Sequence, residues 1–184
     1  MKWLLFACLL TPGAAQAITN DQTGVNIQLS PSLFLGGIHE ENRLRFRAGA
    51  GGAARLTFWW GRYDSSFALG RYWGAGLAPQ HHWTSKRQAL YLPVHVERGM
   101  DLIVLGLRYF VSGGPALYFR ESSTTLGGQA RVGTTLKYRM NKNVGPTLTF
   151  QAGIDIEDAR PLPAGEIMLG FDFSGRLGRK HLDH

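Results

Sequence analysis

The chain has 184 residues, enough for one domain with a sizeable core or for a single barrel, and 24 of them are glycine. Its 20 Lys and Arg against 13 Asp and Glu give a formal charge of +7, but the cations are spread along the chain rather than clustered, which argues against nucleic acid as a partner. The one cysteine, Cys8, lies in the N-terminal segment, which excludes disulfide and thiol chemistry beyond it, and no run of about 18 apolar residues occurs, which excludes a transmembrane helix.

The N-terminus has the three parts of a secretory signal: Lys2 as the charged region, an apolar run from Trp3 to Leu10, and Ala15-Gln16-Ala17 as the cleavage site after the break at Thr11-Pro12-Gly13. Residues 1–17 are expected to be removed near Ala17, leaving one domain over 18–177 and a basic tail over 178–184.

From there the chain alternates apolar and polar residues with period two, the mark of strands with unlike faces. Val25, Ile27 and Leu29 alternate with Asn26, Gln28 and Ser30, predicting a strand over 24–36. Leu44, Phe46 and Ala48 alternate with Arg43, Arg45 and Arg47, and the phase runs on through Leu56, Phe58 and Trp60, giving 43–60. In 66–77 two phases compete: one puts Arg71 with Phe67, Leu69, Trp73 and Leu77, the other turns Gly70, Tyr72, Gly74 and Gly76 outward. Leu90, Leu92, Val94 and Val96 alternate with Tyr91, Pro93, His95 and Glu97, giving 89–97.

Ile103, Leu105, Leu107, Tyr109 and Val111 alternate with Val104, Gly106, Arg108, Phe110 and Ser112, giving 102–119. Strands over 128–140, 144–156 and 166–177 follow, the clearest being Leu148, Phe150, Ala152 and Ile154 against Thr147, Thr149, Gln151 and Gly153. The two long strands are expected to bulge at Gly51-Gly52 and Gly113-Gly114. A hairpin hidden in each would make ten strands instead of eight. Longer polar connections are expected at 37–42, 78–88, 120–127 and 157–165, and short ones at 61–65, 98–101 and 141–143.

The fold class implied is all-β, an antiparallel up-and-down transmembrane barrel. Mean hydropathy is −0.12, which would suit a soluble protein, but a barrel averages its lipid-facing and lumen-facing residues. The polar face mixes Gly, Thr, Ser and Gln with long cations, as a narrow filled lumen requires. The apolar face carries Phe58, Trp60, Tyr109, Tyr138, Phe171 and Phe173 near strand ends, where interface aromatics sit. A soluble secreted β-barrel that binds a ligand would share the alternation and remains the alternative.

The signal segment, the eight alternating strands and Leu107-Arg108-Tyr109-Phe110 before Gly113-Gly114-Pro115 resemble the small eight-stranded outer-membrane barrels of the OmpA/OmpX-like class. The resemblance is one of pattern over residues 24–177. It implies a location in the outer membrane, contact with its lipid, insertion by the barrel-assembly machinery and a monomeric state. Such barrels commonly end on an aromatic residue, whereas this chain continues past Phe173 and Leu177 to His184.

The inward cations are Arg45, Arg47, Arg55, Arg108, Arg131, Lys137 and Arg139, and they outnumber the inward acids Glu97, Asp155 and Asp172. Buried charges need partners, so a lumenal network of ion pairs with trapped water is expected, His95 included. The cationic excess would suit a small anion-preferring pore, although eight strands leave little open lumen.

His95 and Glu97 share a face at i and i+2, the spacing an acid–base pair needs, and Ser112 or Ser174 would complete a hydrolytic set if the fold brought it near. Tyr91-Leu92-Pro93-Val94-His95 resembles a strand of the palmitoyltransferase barrel, which implies a lipid-modifying enzyme, but the surrounding sequence does not follow that family. His81 and His82 are adjacent candidates for a metal, a poor pair because neighbours on an extended chain point apart. Nothing in the sequence calls for a cofactor. The expected function is therefore structural or surface interaction, with the enzyme and the pore as alternatives.

Overall fold

The computed structural model describes the backbone of residues 20–40, 43–64, 69–84, 87–120, 123–140 and 144–176, and the side chains of 23–31, 49–62, 70–83, 88–120, 123–140 and 144–173. The expected signal segment 1–17, the expected tail 178–184 and Phe67 lie outside these residues. Alternating residues such as those of 144–156 lock the chain into strands because only an extended backbone puts all the apolar groups on one side. Eight strands result: β1 (Asn20–Glu40), β2 (Arg43–Asp64), β3 (Leu69–Leu77 and Gln80–Thr84), β4 (Arg87–Tyr91 and Val94–Asp101), β5 (Leu105–Arg120), β6 (Ser123–Tyr138), β7 (Val144–Glu157) and β8 (Arg160–Arg176).

Each strand pairs antiparallel with the next, and β8 returns to β1 through Ile27↔Phe173 and Leu29↔Phe171, closing a ring. The register climbs around it. From Ile27 the partners run through Leu56, Leu77, Val94, Gly113, Ala130 and Ile154 to Pro163, beside Ala164, whose partner in β1 is Ile38. Strands in such a barrel are tilted, and closure leaves no open edge.

Burial is the reverse of that in a soluble protein. Gln28, Thr57, Arg108, Arg131, Thr149 and Asp172 are buried, while Phe58, Trp60, Val111 and Leu169 are each at least half exposed on the outer wall. A continuous apolar exterior of this kind is not stable in water, and a closed barrel is one of the two ways a chain can cross lipid with its backbone satisfied. The 66–77 segment takes the first of its two phases: Arg71, Trp73 and Leu77 face out, Tyr72 and Gly74 face in.

Several sequence-based expectations are corrected. The hidden hairpins are absent: β2 and β5 are each one strand. The bulges at Gly51-Gly52 and Gly113-Gly114 do not occur, since β1–β2 and β5–β6 keep one register throughout. The irregularity lies instead in the closing seam, between Leu29 and Ile38. Connection 78–88 is mostly strand: Gln80–Thr84 pairs with Arg87–Tyr91 in the register of the pairing below it.

What interrupts β3 and β4 is proline. Pro79 and Pro93 have no N–H to give, but their carbonyls still accept from Ala54 and Ala78 at 2.9 Å. Likewise β1 runs to Glu40, β6 begins at Ser123 and β8 at Arg160, so the expected longer loops at 37–42, 120–127 and 157–165 are largely ladder. The turn expected at 98–101 falls at 102–104, where Leu102 and Leu105 exchange backbone hydrogen bonds at 2.7 and 3.1 Å.

Candidate functional site

The inward side chains form two charged layers along the lumen. In the layer nearer the termini, Arg108 on β5 is paired with Asp172 on β8, and Lys137 on β6 reaches the same Asp172 oxygen at 2.7 Å. One carboxylate thus holds two cations at the centre of the barrel. Across from it the Arg55 guanidinium lies 4.1 Å from the Phe110 ring centre, the stacked geometry in which a cation is attracted by the aromatic face. Gly133 makes this possible, because a Cβ there would come within 2.5 Å of the Phe110 ring. Arg55 also faces Glu97, with Nη1 3.8 Å from Oε2.

His95 belongs to the same layer. Its Nε2 is 2.8 Å from the Thr57 hydroxyl and 3.7 Å from Glu97 Oε2. The register sets Ser112 directly opposite His95, as the hydrolytic reading requires. The rest of that geometry is missing. Hydroxyl and carboxylate both approach the same imidazole nitrogen, whereas a relay needs the acid on one nitrogen and the nucleophile on the other. Ser112 Oγ makes no hydrogen bond among the described residues, and His95 is only 1% exposed. The Ser174 side chain lies outside the described residues.

The second layer lies toward the end of the barrel away from the termini. Arg131 on β6 is paired with Asp155 on β7 and stands 3.8 Å from Glu166 on β8. Glu166 also accepts from Gln151 at 2.6 Å and lies 3.3 Å from His82 Nδ1. The Tyr91 hydroxyl donates to Asp155 at 3.2 Å, and the Tyr91 ring meets His82 and Tyr118 edge-on at 4.9 and 5.9 Å. Above this, Arg120 at the rim holds the buried Glu157 at 2.9 Å.

Of the residues singled out in the sequence, Arg55, His95, Glu97, Arg108, Arg131, Lys137, Asp155 and Asp172 all point into the lumen and are buried. Arg139 lies just past β6, half-buried, with its backbone N–H on Val104. Arg45 and Arg47 are in β2 opposite Ile38 and Gly36, and their side chains lie outside the described residues. His81 and His82 do not share a site: His81 is exposed on the outer wall and His82 is buried against Glu166. Among the described residues no group of three metal-ligating side chains occurs.

Sequence reasoning missed Glu166, which joins Asp155 in the second layer, and Glu157, which lies above it. Both were within reach of the period-two rule: Glu157 is in phase with Asp155, and Glu166 with Asp172. Among the described residues several buried polar atoms make no hydrogen bond, including Arg55 Nη1, both Glu97 oxygens, His95 Nδ1 and Arg108 Nη1.

No family model and no curated protein matches the chain. Among solved structures it is similar to Neisserial surface protein A, at 10% identity over 84% of this chain and 98% of that one, with a TM-score of 0.51. Two further likenesses are to Ail, the attachment invasion locus protein of Yersinia pestis (12% identity, 84% and 99% covered, TM-score 0.42), and to the outer membrane protein OprG of Pseudomonas aeruginosa (9%, 86% and 98%, 0.38). The first carries the conclusion, and it concerns the fold. With a closed ring of eight antiparallel strands, an apolar exterior and a charged interior, the chain has the architecture of the small outer-membrane β-barrels.

Proposed function

We propose that this protein is an outer-membrane barrel with a plugged lumen, whose role is structural or is carried by surface contacts at the rim away from the termini. The single observation behind this reading is the interior itself. Arg108, Lys137 and Asp172 converge on one point, and Arg131, Asp155 and Glu166 on another, so the barrel axis is crossed twice by ion-paired side chains. Breaking such pairs to open a path is costly, and eight strands enclose little more than their own side chains. The His95 geometry supports a structural network more than a catalytic one. The rim is formed by the ends of the β1–β2, β3–β4, β5–β6 and β7–β8 hairpins, with Arg120, Ser123, Thr124 and Asp158 exposed to solvent.

The test combines two measurements on the same preparation. Outer-membrane fractions run in mild SDS should show a band that shifts only on boiling, and the purified barrel in planar bilayers should give no conductance steps. Stable anion-selective steps would replace this reading with the pore. A change in lipid A acyl chains on expression that disappears with His95→Ala would replace it with the enzyme.

A further inference from the structure

The turn between β4 and β5, at the end of the barrel that carries the termini, has no polar residue. Leu102 and Leu105 close it by exchanging backbone hydrogen bonds at 2.7 and 3.1 Å, which leaves Ile103 and Val104 at the tip. Both are more than half exposed, at 66% and 52%. The other connections between strands all carry polar residues: Glu41-Asn42, Ser65-Ser66, Ser85-Lys86, Glu121-Ser122, Asn141-Lys142-Asn143 and Asp158. Turn chemistry does not explain the exception. Glycine and short polar side chains suit tight turns in water, whereas β-branched residues suit strands.

The tip belongs to a larger apolar surface. Leu102 and Leu105 stand opposite each other on the outer face, Tyr138 pairs with Leu105, and Met140 just beyond it is 68% exposed. The Arg139 backbone N–H donates to the Val104 carbonyl at 2.9 Å, which holds the end of β6 against the turn. From Leu105 and Tyr138 the surface continues into the outer wall through Leu107 and its register partner Leu136. The acid beside the turn, Asp101, faces the other way. It is in register with Gly106 on the lumen face, where a Cβ would come within 2.8 Å of its carboxylate. Among the described residues no charged side chain lies on the outer face of β5 or β6.

Charged side chains do stand on the outer face of the neighbouring strands, and nearer the middle of the barrel. Arg62 on β2, Arg71 on β3 and Arg98 on β4 are all exposed. Arg98, its guanidinium carbon 5.5 Å from the Trp73 ring centre, comes five residues before Ile103, about 15 Å along the chain. A flat membrane boundary through these arginines would leave the whole turn surface in water, where a contiguous apolar patch calls for a partner. Its continuity with the lipid-facing wall selects lipid as that partner. We infer that the β4–β5 turn is immersed in the membrane, so that the boundary crosses the barrel obliquely, from Arg71 and Arg98 down to Ile103. The inference rests on the barrel reading. An apolar belt of unequal height is accommodated by tilt or by local deformation of the bilayer, at modest cost. Arginine stems then carry their charges to the headgroups on one side while the turn anchors the other.

The experiment places single nitroxide labels on the full-length barrel, in a Cys8→Ser background, in phosphatidylcholine vesicles. Relaxation by oxygen marks the lipid interior, and relaxation by a water-soluble nickel chelate marks the aqueous phase. Labels at 109 and 111 give the lipid reference, and a label at 123 on the far rim gives the water reference. Labels at 103 and 104 should group with 109 and 111, their ratio of oxygen to nickel relaxation several-fold above that at 123. A label at 98 should see more nickel than one at 103, although it is nearer the middle of the barrel. Water-like signals at 103 and 104, or the reverse order of 98 and 103, would overturn the inference. The references separate the two failures. Water-like signals at 109 and 111 sink the barrel reading and this surface with it, whereas lipid-like references beside a water-like turn sink this surface alone.

Discussion

Asp172 is the residue on which the lumen depends most. It is fully buried on β8 and is ion-paired with both Arg108 from β5 and Lys137 from β6. Removing one member of a buried ion pair leaves an uncompensated charge, at a cost of about 3–5 kcal/mol. Asp172→Ala should therefore lower barrel stability by that order, read as the midpoint of urea unfolding in lipid vesicles. Arg120→Gln removes a cation that is half in water from the buried Glu157, and solvent screening at the rim should make its effect smaller than that of Asp172→Ala. Equal effects of the two substitutions would mean that the interior is wet enough to screen its charges. These inward residues were visible in the sequence, because a cation or acid on the polar phase of a strand has nowhere to point but inward. Which cation meets which acid was not visible: Arg108 and Asp172 are joined through the ring closure, not through neighbouring strands in the sequence.

At the scale of elements, the alternation marks the part of each strand that faces an apolar surrounding, and little beyond it. Residues 144–156 were legible nearly to their ends, since β7 carries Leu148, Phe150, Ile154 and Ile156 outward along its length. The segment 78–88 was not, since His81, Trp83 and Gln88 on its outer face carry no apolar run, and Pro79 and Pro93 look like loop residues until their carbonyls are seen in the ladder. Ladder hydrogen bonds continue where the hydropathy signal has stopped, and this is why expected long loops became hairpin ends. The β7–β8 turn adds a prediction. Asp158 and Ala159 have φ of 50° and 61°, the left-handed pair of a two-residue hairpin turn. A left-handed alanine costs about 1–2 kcal/mol that glycine does not incur. Ala159→Gly should stabilise the barrel by about 1 kcal/mol at the same unfolding midpoint, and a loss of stability would contradict this turn geometry.

At the scale of the whole molecule, sequence and structure agree because one physical rule acts everywhere. Every strand must present one face to lipid and the other to its neighbours across the lumen, so the two-residue period repeats along the chain and survives an ambiguous strand such as 66–77. The closing seam escaped sequence reasoning for the complementary reason. A register shift between Leu29 and Ile38 depends on how the last strand meets the first, and no local pattern records that.

The inverted faces are the claim on which the rest stands, and spin labels test them directly. With Cys8 the only native cysteine, single cysteines placed in turn at residues 107 to 113 can carry a nitroxide in vesicles, and its relaxation by oxygen reports contact with the lipid interior. Positions 107, 109 and 111 should be strongly relaxed by oxygen, and 108, 110 and 112 weakly, with a period of two. The opposite phase, or no period, would mean that β5 does not turn Val111 to lipid and Arg108 to the lumen, and the barrel described above would be wrong.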